Sequence, residues 1–161
     1  MPTLASKLAM RSAFGTALIL AALPVLASAS DIRGLWKVSV TPVDCSTGDP
    51  MAPAFGSLLS FNTDGTESED TNNPALQPGQ RSTAFGVWKQ KSENKYEMNT
   101  YAFIVFGTDG PPPIEAGSQQ IRQDIVLNRK SWTSNATVQF FDSSGTLYRS
   151  GCAKAAASRL K

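Results

Sequence analysis

Histidine is missing from all 161 residues of this chain. Its absence removes the commonest general base, the commonest metal ligand and the side chain that changes charge near neutral pH. No Ser-His-Asp or Cys-His constellation can be built here. Cysteine is scarce too. Cys45 and Cys152 stand alone, and a zinc site would need further ligands that are missing. No metal and no cofactor is expected. An excess of charge of either sign is also lacking. The chain has 15 basic and 13 acidic side chains, and Lys7 and Arg11 fall in the first 29 residues, which leaves the remainder neutral. A neutral, dispersed surface gives no electrostatic footprint for nucleic acid and no polybasic patch for anionic lipid.

What is present begins with a leader. Lys7 and Arg11 precede an apolar run from Ala13 to Leu23, followed by Pro24 and the small tripeptide Ala27-Ser28-Ala29. This is the three-part layout of a secretory signal peptide, with cleavage expected after Ala29. The apolar run is too short to span a bilayer, so no membrane anchor is expected after cleavage. Export to a bacterial periplasm or the medium follows, with 30–161 as a single domain. In that setting the even cysteine count favours one disulfide between Cys45 and Cys152.

From Gly34 onward, period-two patterning dominates. Trp36, Val38 and Val40 alternate with Leu35, Lys37 and Ser39. A second strand spans 56–62, and Thr63-Asp64-Gly65 makes a hairpin turn. Further strands are predicted at 66–71, 84–90, 95–106, 119–128, 132–141 and 146–152. The alanine-rich tail 153–161 reads as frayed or as a short helix. The acidic group Glu67, Glu69 and Asp70 reads as a solvated strand face, and Trp88 and Trp132 as core or barrel wall. Eight consecutive strands joined by hairpins predict an all-β, antiparallel up-and-down barrel, which removes its edges by closing on itself.

Loop lengths add polarity to that barrel. Connections 41–55, 72–83 and 107–118 are long and rich in Pro and Gly, and successive connections alternate between ends. One end is therefore stitched shut and the other is a mouth ringed by loops, where ligands are favoured. Met51, Phe55, Arg81, Phe106, Ile114 and Phe140 belong near that mouth. If Trp36, Phe61, Phe85, Ile104, Ile125 and Val138 point inward, parity brings Thr100, Ala102, Gln123, Ser134 and Ala136 inward as well. Small residues there leave space, and Gln123 and Ser134 could orient a ligand or simply bond each other.

The layout resembles the lipocalins and the wider calycin group. Gly34-Leu35-Trp36 matches their Gly-x-Trp at the start of the first strand, and Arg149 falls late in the last. The resemblance implies that Trp36 plugs the closed end and that Arg149 stacks across it, as cation–π packing allows. It covers architecture from Gly34 to Cys152 and does not extend to the second and third lipocalin motifs. The disulfide conflicts with this layout, because Cys45 would lie at the mouth and Cys152 at the closed end. Either the first loop folds back along the wall, or the register differs, or both thiols stay free.

Three functions fit these features. The first is an exported binding protein for a small, mostly apolar ligand. The second is a histidine-free barrel enzyme resembling allene oxide cyclase in architecture. The third is an envelope or interaction protein with a filled core. An ionisable residue pointing into the barrel would favour the enzyme; an interior with only Thr100, Gln123 and Ser134 would favour binding.

Overall fold

The computed structural model describes residues 31–106 and 115–160. The leader, Pro111-Pro112-Pro113, Ile114 and the side chain of Phe106 lie outside them. Eight strands follow one another: β1 Gly34–Val43, β2 Phe55–Phe61, β3 Thr66–Thr71, β4 Ala84–Ser92, β5 Lys95–Phe106, β6 Glu115–Asn128, β7 Ser131–Phe141 and β8 Leu147–Arg159. Each pairs antiparallel with its sequence neighbours, and β8 pairs with β1, so the sheet is a closed eight-stranded barrel.

The turns are built by short-range chemistry. Asp64 and Asp142 do the same job in two hairpins. Asp64 Oδ1 accepts from the backbone N–H of Thr66 at 2.9 Å, and Asp142 Oδ1 accepts from that of Thr146 at 2.9 Å. Gly65 and Gly145 supply the positive φ values, +86° and +83°, that these turns require.

The stitched end is closed by aromatics. Trp36, Phe61, Trp88, Tyr96 and Trp132 meet edge-on or tilted, with ring centroids 5.8–6.4 Å apart, in the geometry that aromatic quadrupoles favour. Ile32 is fully buried against them. Trp36 Nε1 donates to the Ile32 carbonyl at 2.7 Å, so the plug also anchors the chain entering β1.

The arginine on this plug is Arg159, not Arg149 as the resemblance implied. Arg159 lies 4.3 Å from the Trp36 ring centroid. Its guanidinium also donates to the carbonyls of Asp31 and Arg33. Gly34 makes room, since a Cβ there would sit 2.7 Å from Arg159 Nη1. Arg149 lies exposed at the mouth, 5.4 Å from the Phe140 ring centroid. The cause is the length of β8. The tail expected to fray or coil continues the strand, with Ala153, Ala155 and Ala157 buried and Lys154, Ala156 and Ser158 exposed.

The longer β8 also resolves the conflict over the cysteines. Val43 pairs with Cys152 across the β1–β8 seam. Cys152 therefore lies at the mouth side, and it forms a disulfide with Cys45 at a Cα–Cα distance of 5.2 Å. The different register is the answer among the three alternatives.

Candidate functional site

Above the aromatic plug the interior changes character. β3, read as a solvated acidic face, turns both glutamates inward. Glu67 is 1 % exposed and Glu69 7 %. The hairpin register dictates this: Phe61 pairs with Glu67 and Leu59 with Glu69. Directly opposed residues share a face of the sheet, and Leu59 and Phe61 are core.

The same rule corrects β4. Glu67 pairs with Gly86 and Glu69 with Ala84, so Ala84, Gly86 and Trp88 face inward. Phe85, expected inside, is 65 % exposed on the outer wall. There it pairs with Tyr101, which stands edge-on to Phe103 at 5.5 Å.

Gly86 is what admits Glu67. A Cβ at that position would stand 2.1 Å from the Asn99 carbonyl oxygen and 2.3 Å from Glu67 Oε1. The Glu67 side chain crosses this gap to β5, where the Thr100 hydroxyl donates to Oε1 at 2.7 Å. Burial pushes the Glu67 carboxyl up to about 7, and the nearby charge of Glu69 adds to the shift. The Thr100 hydrogen bond and the charge of Arg81 act in the opposite direction.

Glu69 is fully engaged. Arg81 Nη2 contacts Glu69 Oε2 at 2.8 Å in a buried ion pair, and the Ser57 hydroxyl donates to Oε1 at 2.8 Å. Arg81 Nε donates to Gln119 Oε1 at 2.6 Å. The loop delivers Arg81 by adding one bridge to β5 opposite Ile104. The bonds Ser82 N–H to Phe103 O and Val105 N–H to Gln80 O hold it there.

The remaining expected site residues fall as follows. Thr100, Ala102, Ile104, Gln123 and Ser134 are buried and inward. Phe55 and Phe140 are half-buried at the rim. Thr100 (β5), Gln123 (β6) and Ser134 (β7) form a diagonal run. Thr100 pairs with Ile121, two residues from Gln123, and Gln123 pairs with Ala136, two residues from Ser134. Gln123 and Ser134 do not satisfy each other. Among the described residues, Glu67 Oε2, Gln123 Oε1, Ser134 Oγ and Trp132 Nε1 are buried polar atoms without a hydrogen-bond partner. Native proteins leave few such atoms, and each calls for an explanation.

The sequence reading missed Glu67, Glu69, Ser57, Gln119, Gly86 and Arg159. The signal for the two glutamates was the hairpin register from Leu59 and Phe61. Nothing local marked Gly86 or Arg159.

Concavities outside the barrel are shallow pleats between outward side chains, such as those lined by Ser39, Thr41, Asp124, Asn135 and Lys154. No protein-family model, no curated protein and no solved structure matches the chain.

Proposed function

We propose that the protein is an exported barrel that binds a small molecule inside its mouth, and that the ligand is amphiphilic rather than wholly apolar. The carrying observation is the layering of the interior. Half-buried Phe55, Ile121, Val138 and Phe140 lie towards the rim. Below them, three buried oxygens on Glu67, Gln123 and Ser134 have no partner among the described residues. Apolar walls with a few convergent polar groups are the usual make-up of a ligand pocket. Alanines at 102, 136, 153 and 155 keep the surrounding wall thin. The Cys45–Cys152 disulfide agrees with an oxidising compartment and, with residues 1–29 read as a leader, supports the periplasm or medium as its location. The closed barrel with a tryptophan–arginine plug agrees with a lipocalin-like member of the calycin group. The test is native mass spectrometry of protein purified from its own compartment. A co-purifying small molecule, lost when Ala136→Trp fills the interior, supports the assignment. Bare protein that binds no member of an amphiphile panel overturns it.

A second reading, a barrel enzyme, is favoured by one observation. Glu67 is an interior acid whose pKa is raised to about 7, where general acid–base catalysis is most effective. It predicts that Glu67→Gln keeps affinity for the natural ligand and abolishes its chemical conversion.

A further inference from the structure

We infer that the ligand is an organic amine, its ammonium head seated against Glu67, Gln123 and Ser134 and its apolar body directed up towards Val138 and Phe140. This deepens the binding-barrel reading and rests on it.

The first ground is the charge balance of the interior. Among the described residues, three charged side chains turn into the barrel above the plug: Glu67, Glu69 and Arg81. Arg81 is taken by Glu69. Among the described residues Glu67 has no ion pair of its own, feeling Arg81 only at a distance, and is tied at one oxygen to the neutral Thr100 hydroxyl. Its cross-strand neighbours are Phe61 on β2 and Gly86 on β4, and Gln123 on β6 and Ser134 on β7 are buried polar residues of the far wall. None of these carries charge. A buried carboxyl in this position must either keep a proton or receive a cation.

The second ground is the set of unpartnered atoms. Three of the four unpartnered atoms, Glu67 Oε2, Gln123 Oε1 and Ser134 Oγ, can accept hydrogen bonds; the fourth, Trp132 Nε1 in the plug, is a donor. An ammonium brings N–H donors and the missing positive charge together. An alcohol brings a single donor and no charge. A carboxylate brings further acceptors with the same sign as Glu67. Amines are thus selected over alcohols, and carboxylates are rejected, by atoms already in place.

The third ground is placement. Three strands lie between β3 and β7 either way round the ring of eight, so inward Glu67 and Ser134 stand on opposite walls of the barrel. Gln123 lies between Thr100 and Ser134 along the wall. The three acceptors are thus carried by the facing walls of one interior. Half-buried Ile121, Val138 and Phe140 continue from it to the rim, where an apolar chain would lie.

The experiment uses the oxidised protein and three probes of equal chain length: n-hexylamine, 1-hexanol and hexanoate. Binding is read by calorimetry and by the fluorescence of Trp132, the inward residue below Ser134 on β7. At about pH 8, hexylamine is expected to bind at least about tenfold more tightly than hexanol, because Glu67 is ionised there. Towards about pH 6 that advantage shrinks about tenfold, as a proton competes for the carboxylate. Glu67→Gln removes the amine preference, so that hexylamine binds no more tightly than hexanol. Ser134→Ala, which keeps the Glu67 charge and guards against misfolding of the first variant, weakens hexylamine several-fold and keeps its preference over hexanol. Binding of hexanol as tight as hexylamine, or an amine preference that survives Glu67→Gln, overturns the amine assignment while the binding barrel stands. Binding of none of the three overturns both.

Discussion

Glu67 and Gly86 are cross-strand partners, and the first occupies the space that the second leaves open. The missing Cβ of Gly86 would lie 2.3 Å from Glu67 Oε1. A carboxylate on a central strand, otherwise costly to bury, reaches its one hydrogen-bond donor across that gap.

Gly86→Ala is therefore expected to destabilise the barrel by about 2–3 kcal/mol, the upper range for overpacking a tight site. Three contacts are at fault: Glu67 Oε1, which can be removed, and the Asn99 carbonyl oxygen and Thr100 Cα, which cannot. Combining Gly86→Ala with Glu67→Ser should recover part of the loss. A double-mutant cycle by urea unfolding measures the coupling. Simple additivity would show that the two residues do not share the space.

Glu67 also sets a pH dependence. Burial raises its folded pKa to about 7, well above the ordinary carboxylate range. Below the unfolded pKa both states hold the proton and nothing is lost. Between the two values the unfolded chain releases its proton while the folded one retains it, so stability falls as pH rises and levels off above about 7. The total is about 3 kcal/mol. Glu97 on the outer wall runs the other way, held down to about 2 by its bond to Lys89, with Lys91 and Arg122 adding. Its contribution is present above the ordinary carboxylate range and is lost as pH falls towards 2. Comparing wild type with Glu67→Gln isolates the first effect. The variant should gain on wild type from pH 5 to pH 8 in denaturant titrations, and parallel curves would refute it.

Strand positions and the polarity of the barrel were legible because Trp36, Val38, Leu59, Phe61, Ile125 and Trp132 alternate with polar neighbours. The candidate site was legible only in part, and the failures share a cause. Hydropathy assigns Phe85 to the core and Glu67 and Glu69 to solvent. Pairing overrules it: Leu59 and Phe61 fix the faces of Glu69 and Glu67, which in turn fix those of Ala84 and Gly86. Carrying register around the ring, strand by strand, would have reversed both assignments. The alanine-rich end of β8 failed for a different reason. Alanine favours helix and disfavours strand, but β1 needs a partner along its length for the ring to close, and that long-range pairing overrides local preference.

The arginines of β8 give a paired test. Arg159 covers Trp36 and fastens the Asp31 and Arg33 carbonyls. Arg159→Ala is expected to cost about 1–3 kcal/mol, from lost cation–π contact and carbonyl hydrogen bonds. Arg149→Ala, in an exposed rim residue, should stay within about 0.5 kcal/mol. Thermal or chemical unfolding of the two variants decides between the positions, and a larger loss for Arg149→Ala would reverse the plug assignment.

The disulfide should matter for global stability and little for the plug. Cys45 and Cys152 are 107 residues apart in sequence, and on the loop-entropy model a cross-link of that span stabilises by about 4–5 kcal/mol. The native loop at Cys45 has other ties. Val43 bridges Pro50, and Lys154 Nζ donates to the Gly48 carbonyl at 3.0 Å. The folded barrel can therefore keep its shape when the bond is cut, because the loss falls on the unfolded chain. Cys45→Ser with Cys152→Ser should lower the unfolding midpoint strongly while leaving the near-UV signals of Trp36 and Trp132, at the opposite end, unchanged in the native state. Equal midpoints with and without reductant would show that the bond constrains nothing the strands do not already hold.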